Sequence, residues 1–344
     1  MRLENSPELF KQDCELIIRE SPYLFKNLHQ KKLLITGVSG FFGSWVLEVL
    51  NQAIDFYSLE TEVFCLVRKK LNLNKNFSWL KEIMGDLKSF NIQTASIVSP
   101  LEGETGPKMK SRDREGVFFD FVLHMAGNKS WEDVVLGTEN LIKNLSQQGG
   151  HIDPPLQGLS PRLVFTSSGA VYGKKIRTDQ PLSENLKPEL WGADWYSKAK
   201  YQAENNLLDF AKNNKNFNLI IARCFAFYGY GQPVNQGFAV ADMCEAAKKN
   251  KLIKINNKST ERSFMYMGDL VRALFLLLLS RNPHISGIYN IGGEHSENII
   301  NTAEKIAKKF QAEILISQNL TTRNYYVPSI QKLKNLGFVE KFYY

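Results

Sequence analysis

Leu33-Leu34-Ile35-Thr36-Gly37-Val38-Ser39-Gly40-Phe41-Phe42-Gly43 carries an apolar run into three spaced glycines and then into an amphipathic segment. A strand that ends in glycines and restarts as a helix has the physics of dinucleotide binding. Gly37 makes the tight turn, Gly40 lets backbone approach a pyrophosphate, and Gly43 lets the helix pack close on the strand. Ser39, Phe41 and Phe42 share that loop and helix start. Unpaired N–H groups and the positive end of the helix dipole face a diphosphate there. The same glycines also suit a purely structural turn, and the surrounding chain has to decide between the two.

Outward from this turn, short apolar runs at 33–36, 63–67, 121–124, 163–166 and 219–222 alternate with helical stretches at 43–51, 138–146 and 197–211. That rhythm predicts an α/β fold with a parallel sheet and helices on both faces. The strands are apolar throughout because both of their faces are covered. Residues 6–28 read as one or two short helices capping the sheet, with Leu9, Phe10, Leu16, Ile17 and Ile18 on one stripe. Residues 96–116 and 148–162 are polar, contain Pro and Gly, and read as surface insertions. The alternation fades after about Gly229. The expected organisation is a helical extension (1–30), a nucleotide-binding unit (31–228, with later returns) and a mainly substrate-binding region (229–344).

The run at 63–67 ends at Arg68, with Lys69 and Lys70 behind it. In dinucleotide folds an acidic residue here holds the ribose 2′-OH, whereas an arginine accommodates a 2′-phosphate. Arg68 therefore leans towards NADP(H); its other reading is a solvated arginine at a strand end. Gly85-Asp86-Leu87 either follows a third strand, with Asp86 facing an adenine amino group, or lies in a helix ahead of a strand at 92–98. The first placement is favoured.

Chemistry enters where the run at 163–166 continues into Ser167-Ser168-Gly169-Ala170-Val171-Tyr172-Gly173. The carboxyl end of a strand is the place where open α/β sheets bind ligands. Tyr196 and Lys200 follow at i, i+4, one turn apart on one helix face. A phenol of ordinary pKa is a poor base near neutrality. An adjacent ammonium and an oxidised nicotinamide both favour its ionised form. Tyr196 then exchanges a proton with a substrate hydroxyl that Ser168 holds. Taken alone, a Tyr-x-x-x-Lys pair is an ordinary helix-surface coincidence. Its meaning comes from following a glycine turn and a serine strand end in that order.

The bulk composition sets limits on partners. The formal charge is +8, from 43 Lys and Arg against 35 Asp and Glu. The basic residues are dispersed, and the short runs Lys69-Lys70 and Lys248–Lys251 lack the interleaved aromatics of a nucleic-acid surface. A phosphorylated small molecule is the partner expected, with neither nucleic acid nor membrane. The four cysteines, Cys14, Cys65, Cys224 and Cys244, have no metal-ligand spacing and suit a reducing compartment. The N-terminus has no secretory apolar core, and the apolar run 273–279 is too short to span a bilayer. A cytoplasmic location is expected.

The motifs TGVSGFFG (36–43), HMAG (124–127), GTENL (137–141), FTSSGAVYG (165–173), YSKAK (196–200), RCFAFYGYGQ (223–232), RSFMYMGDLVRAL (262–274) and YNIGG (289–293) resemble, in order, those of extended short-chain dehydrogenase/reductases of the nucleotide-sugar epimerase/dehydratase group. The resemblance implies a Rossmann-type doubly wound sheet for NAD(P) and a smaller C-terminal α/β domain for a nucleotide sugar. It makes Ser168, Tyr196 and Lys200 the catalytic triad. It places Ala126 and Gly127 beside the cofactor and Cys224 and Phe225 near the nicotinamide. It sends Arg262 to the substrate diphosphate, with Arg323 as a possible helper; the alternative for each arginine is an exposed ion-pair partner, and for Arg262 the functional reading is favoured. A homodimer through the helices carrying GTENL and YSKAK is also implied.

Departures from the group's pattern narrow the expected reaction. Its dehydratases carry an Asp-Glu pair directly after the strand-end hydroxyl, and its decarboxylases usually a glutamate. Gly169 and Ala170 stand there in this chain. Redox at one sugar carbon, most plausibly C4, is what remains, as in a 4-epimerase or a 4-ketoreductase. The segment between Gly127 and Gly137 is about ten residues shorter than is usual in the group, and Ala226 replaces an asparagine that often contacts substrate phosphate. A dehydratase or decarboxylase relative, or a non-catalytic relative binding dinucleotide or RNA, is the alternative reading.

Overall fold

The computed structural model describes residues 6–71, 77, 79–92, 94–98, 118–127, 129–146, 161–173, 180–214, 217–316 and 324–342. Helices α1 (Pro7–Arg19) and α2 (Pro22–Phe25) precede β1 (Lys32–Thr36) and α3 (Phe41–Tyr57). There follow β2 (Glu62–Val67), β3 (Leu80–Met84), β4 (Ser96–Val98), β5 (Phe121–His124), α4 (Trp131–Ser146), β6 (Arg162–Ser168), α5 (Trp195–Asn213) and β7 (Asn218–Cys224). The C-terminal part holds β8 (Phe227–Tyr228), α6 (Ala239–Asn250), β9 (Leu252–Ile255), β10 (Thr260–Arg262), β11 (Met265–Tyr266), α7 (Met267–Leu279) and β12 (Gly287–Ile291). It ends with β13 (Glu297–Asn298), α8 (Ile299–Phe310), β14 (Glu313–Ile316), β15 (Asn324–Tyr326) and α9 (Gln331–Lys334).

Among the described residues the main sheet runs β12-β7-β6-β5-β1-β2-β3-β4. Every neighbouring pair is parallel except β3 with β4. The chain leaves β1 for α3 on one face and β5 for α4 on the other, so the adjacent ends of β1 and β5 form the topological switch point where such sheets bind ligands. Apolar side chains of α1, α3 and α7 share one core face with Leu33, Ile35, Val63 and Cys65. Those of α4 and α5 share the other with Leu34, Phe64, Val122 and Phe165. This is the doubly wound Rossmann-type α/β fold that the alternation predicts.

Some boundaries differ from the sequence expectation. Residues 96–98 are not insertion but an antiparallel edge strand on β3; residues 99–117 and 148–160 lie outside the described residues. The third parallel strand ends at Met84, directly before Gly85 and Asp86, as favoured above. The N-terminal helices cover α3 and α7 rather than the sheet, with Cys14, Ile17 and Ile18 buried and Asp13 accepting a hydrogen bond from Tyr266. From residue 227 onward the chain builds three small sheets, β13-β10-β15, β11-β8 and β14-β9, while β12 returns to the edge of the main sheet beside β7. The apolar run 273–279 lies within α7, which is buried in the core. No helix among the described residues is long and apolar enough to cross a membrane.

The glycines that seat α3 on β1 are constrained to different degrees. A Cβ on Gly43 would lie 2.2 Å from the Val38 carbonyl oxygen, and one on Gly37, at φ +80°, would lie 2.6 Å from Ala126 N. Gly40 has φ −90°, and its only near neighbour would be Gly37 O at 3.3 Å. Gly43→Ala is therefore expected to cost roughly 3 kcal/mol, because backbone must move, and Gly40→Ala less than about 1 kcal/mol. Urea unfolding of the two variants reads the difference, and equal midpoints would contradict it.

Candidate active site

β6 delivers four consecutive polar groups at its carboxyl end. Thr166 Oγ1 donates to His124 O (3.3 Å), Thr166 O accepts from Lys200 Nζ (2.9 Å), and Ser167 Oγ donates to Glu204 Oε1 (2.5 Å). Ser168 Oγ then accepts from Ala170 N (3.1 Å) and so caps the short 3-10 turn 169–172. Helix α5 begins just ahead of Tyr196 because Asp194 caps it, accepting from the backbone N and the Oγ of Ser197. With that start fixed, Tyr196, Lys200 and Glu204 fall on one face, one turn apart, against β6 and β7.

Ser168, Tyr196 and Lys200 are thereby brought together. Lys200 Nζ lies 5.8 Å from the Tyr196 ring centroid and 4.8 Å from that of Phe165. Burial pushes Tyr196 up to about 12, the neighbouring Cys224 adds to this, and the Ser168 hydroxyl opposes it. Burial lowers Lys200 to about 8. Burial dominates at Tyr196 in the chain by itself, without the oxidised ring on which the sequence expectation also relies. Cys224, at the end of β7, is buried beside both, its thiol pushed up to about 12.

Lys200 and the next turn of α5 are held by an ion pair. Glu204 and Arg223 are 0% and 2% exposed and meet bidentately, with Arg223 Nη2 2.6 Å from Glu204 Oε2 and Arg223 Nε 3.0 Å from Oε1. The guanidinium stacks 4.7 Å from the Tyr172 ring. Sequence reading passed over this pair, although Glu204 continues the Tyr196, Lys200 spacing by one more turn.

The cofactor-side residues lie along the same edge of the sheet. The N-terminus of α3 has no side-chain cap and no acidic residue in its first turn, while Ser39 and Gly40 are exposed and Phe41 and Phe42 half-buried. Its first amides are therefore free to face an anion, a fit to a diphosphate. Arg68 is exposed just beyond β2. Asp86 follows β3 and its carboxylate accepts from Lys88 N (2.9 Å). Leu87 packs on Gly137, where a Cβ would lie 2.7 Å from Leu87 Cδ2. Gly127, at φ +94°, packs on α4, since its Cβ would lie 3.0 Å from Asp133 O and from Val134 Cα.

Behind Ala126 runs a buried chain of hydrogen bonds. Thr138 Oγ1 donates to Val134 O (2.6 Å), so it can only accept from His124 Nε2 (3.0 Å). His124 Nδ1 is then an acceptor, taking the proton of Thr36 Oγ1 (2.6 Å), and Thr36 Oγ1 accepts from Ala126 N (3.3 Å). The chain ties α4, β5 and β1 to the loop that faces the glycine turn. HMAG contained the residue, but nothing local to it signals partners at 36 and 138.

On the substrate side, β10 and β15 pair in parallel with Arg262 opposite Tyr326. Arg262 uses Nη1 for Glu261 O, Asn324 O and Asn324 Oδ1, and its guanidinium lies 5.4 Å from the Tyr326 ring centroid. Tyr326 stacks 4.6 Å from Phe225 and directs its hydroxyl over Gly169. Arg323 lies outside the described residues.

The His124 geometry has a pH consequence. Burial, with Lys200 adding to it, lowers its pKa from 6.5 to about 3. The unfolded chain therefore takes up a proton that the fold refuses, and stability falls as pH drops from 6.5 towards 3, by about 1.4 kcal/mol per unit. In a His124→Gln variant the acid slope of the unfolding free energy between about pH 6 and pH 4 should be shallower by about one proton. An unchanged slope would show that His124 is not the group responsible.

Comparison with known proteins places this arrangement. The family model described as the NAD dependent epimerase/dehydratase family matches residues 117–292. The trifunctional UDP-glucose 4,6-dehydratase/UDP-4-keto-6-deoxy-D-glucose 3,5-epimerase/UDP-4-keto-L-rhamnose-reductase of Arabidopsis thaliana is 24% identical over 90% of this chain, which spans only 45% of that protein. MoeE5 in complex with UDP-glucose and NAD shares the fold, with a TM-score of 0.68, 22% identity, and 91% of this chain and 94% of that one covered. So does RMD from Pseudomonas aeruginosa complexed with NADPH, at a TM-score of 0.64, 21% identity, and coverages of 91% and 94%. The match takes in the end of β6, all of α5 and the β7 edge, and this chain belongs to the NAD-dependent epimerase/dehydratase family.

Proposed function

We propose that the chain carries out NAD(P)-dependent redox at C4 of the sugar of a nucleotide sugar, as a 4-epimerase or 4-ketoreductase, through Ser168, Tyr196 and Lys200. The observation that carries this reading is what lies beyond the strand-end hydroxyl. A side chain at 169 would meet the Tyr326 hydroxyl at 2.5 Å and the Phe225 ring at 2.7 Å, so the space is filled by aromatics. The two carboxylates at the face of α5 are committed, Asp194 to the helix cap and Glu204 to Arg223. An elimination that needs a carboxyl group at the strand end has no support, whereas proton exchange with one hydroxyl does.

The dinucleotide is held by Gly37, Ser39, Gly40, Phe41, Phe42 and Gly43 at its diphosphate. Asp86 and Leu87 serve at the adenine side, and Ala126, Gly127, Cys224 and Phe225 along the nicotinamide half. Arg68, exposed at the end of β2, favours the 2′-phosphate of NADP(H). When bound, the cofactor would supply hydride transfer at the sugar carbon, taking and returning hydride in an epimerase and giving it up in a ketoreductase. Lys200 holds the cofactor ribose and sets the potential under the Tyr196 ring. Ser168 donates to the oxygen on the reacting carbon while Tyr196 takes or returns its proton. Arg262, with Arg323, binds the diphosphate of the nucleotide sugar, a group whose geometry and charge a guanidinium matches. The folds of MoeE5 with UDP-glucose and NAD and of RMD with NADPH support this class of ligands.

Three measurements test the reading. Calorimetry with NAD⁺ and NADP⁺ should give binding that Gly40→Ala weakens without unfolding the chain, and Arg68→Ala should weaken NADP⁺ selectively. Incubation with UDP-glucose and a panel of other nucleotide sugars plus cofactor should give a C4 product or a 4-keto sugar. Tyr196→Phe should slow that turnover roughly a hundredfold to ten-thousandfold while leaving dinucleotide affinity within a few-fold. No turnover of any nucleotide sugar, or an undiminished rate in Tyr196→Phe, sinks the proposal. A homodimer through α4 and α5, whose Leu136 and Leu208 are 45% and 37% exposed, is part of the same reading. Light scattering that gives a monomer, or a dimer unaffected by Leu136→Glu, would remove that part.

A further inference from the structure

We infer that the chain carries a second anion site, for an oligophosphate, in a basic cleft at the amino ends of the main-sheet strands. This is the end of the sheet opposite the candidate active site. The cleft has a volume of about 800 Å³, within the size range of small-molecule sites. Its lining comes from the segment 26–32, from the starts of β1, β5, β6 and β7, and from the end of α7 with the turn behind it. Lys26, Lys31, Lys32, Arg162 and Arg281 line it, with Asp120 as the only carboxylate among the described residues.

Asp120 is committed to the start of β1, its Oδ1 accepting from Lys31 Nζ (2.8 Å) and its Oδ2 from Lys32 N (2.8 Å). Lys32 Nζ lies 3.3 Å from Glu62 Oε2, and Lys81 shares that carboxylate. The other three cations have no carboxylate partner among the described residues. Arg162 donates only to backbone, from Nη1 to Leu278 O (3.3 Å) and Ser280 O and from Nη2 to Asn282 O (3.0 Å). Carbonyls at the end of a helix carry about half a negative charge, so the guanidinium is only partly offset. Arg281 Nε donates to Asn27 Oδ1 (2.9 Å), a neutral amide whose Nδ2 donates to Leu279 O (2.9 Å). Lys26 Nζ lies 5.6 Å from the Tyr57 ring centroid. Like charges gathered in a concave surface focus their field within it. Their repulsion is relieved best by several negative charges on a short span. Phosphate oxygens are the groups that guanidinium and ammonium donors match in geometry and charge. Half-buried Phe118 and Phe121 on the same lining add apolar surface for a nucleoside attached to such a phosphate chain.

Calorimetric titration with inorganic triphosphate and with ATP, both free of magnesium, tests the site. At about 0.1 M salt, charges more than roughly 10 Å apart in solvent are largely screened, so the readout is local. Lys26 and Arg281 are exposed, and the double variant Lys26→Glu/Arg281→Glu should weaken triphosphate binding by roughly tenfold or more. The same change of charge in Lys248→Glu/Lys249→Glu, at the exposed end of α6, should leave it within about twofold. So should Gly40→Ala, at the glycine turn on the opposite end of β1. For the component of binding that Lys26→Glu/Arg281→Glu removes, tighter binding of ATP than of triphosphate upholds the site as one for a nucleotide. Equal affinities uphold it as one for the phosphate chain alone. Absence of triphosphate binding, or an affinity that Lys26→Glu/Arg281→Glu leaves unchanged, overturns the inference. An equal loss in Lys248→Glu/Lys249→Glu overturns it as general charge attraction, and a loss confined to Gly40→Ala overturns it by assigning the anion to the glycine turn. None of these readouts involves turnover or NAD(P), so the proposed redox chemistry stands or fails separately.

Discussion

Everything at the candidate site depends on the contact between two adjacent strands whose connections leave in opposite directions. β1 passes to α3 on one face and β5 to α4 on the other, so backbone ends diverge at the carboxyl edge and leave a crevice. Divergence alone would leave those ends free to splay. Here Thr36 and His124, paired in register, close a buried chain of hydrogen bonds that runs from α4 through both strands to Ala126 N. A neutral imidazole is required for that chain, since one ring nitrogen must donate and the other accept. Burial supplies the neutrality. The floor of the crevice is thus set by sterics at Gly37 and by hydrogen bonding at His124, each on one side of the switch point.

The side of the crevice formed by β6, β7 and α5 is stiffened by a different means. Glu204 and Arg223 form an ion pair with almost no exposure, and such pairs cost desolvation energy that their attraction roughly offsets. What the pair contributes is registry. Glu204 also takes the Ser167 proton, so one carboxylate fixes β6, β7 and α5 together, a single turn from Lys200. Removing either partner would leave a buried charge alone, which is far worse than having neither.

Elements that depend on local spacing were legible in the chain. The glycine turn, the parallel strands and the Tyr196–Lys200 pair each come from a short window with its own period, and the fold follows their order. Helix ends were less legible. α3 begins at Phe41 and runs to Tyr57 because Gly40 serves as its cap, whereas apolar periodicity marked only 43–51. Least legible were the contacts made across long separations. Tyr326 meets Gly169, and His124 meets Thr36 and Thr138, through sheet pairing that no window of sequence contains. Position 169 could be read as lacking an acid. That an aromatic hydroxyl had taken the space could not.

The charge state of the site is the last consequence of its burial. Tyr196 and Lys200 sit where desolvation disfavours both the phenolate and the ammonium, so the pair is driven towards neutrality in the protein alone. Neither residue can then be assigned its catalytic protonation state from the other. Lys200, lowered only to about 8, stays largely protonated near neutrality, and a ligand that brings a cation near Tyr196, or hydrogen-bond acceptors near Lys200, binds more tightly to the ionised form of each. By linkage, the free energy that ionises Tyr196 is drawn from ligand binding. On the proposed reading, the phenol and the lysine therefore act as a base only in the complex, when there is a substrate oxygen to act on.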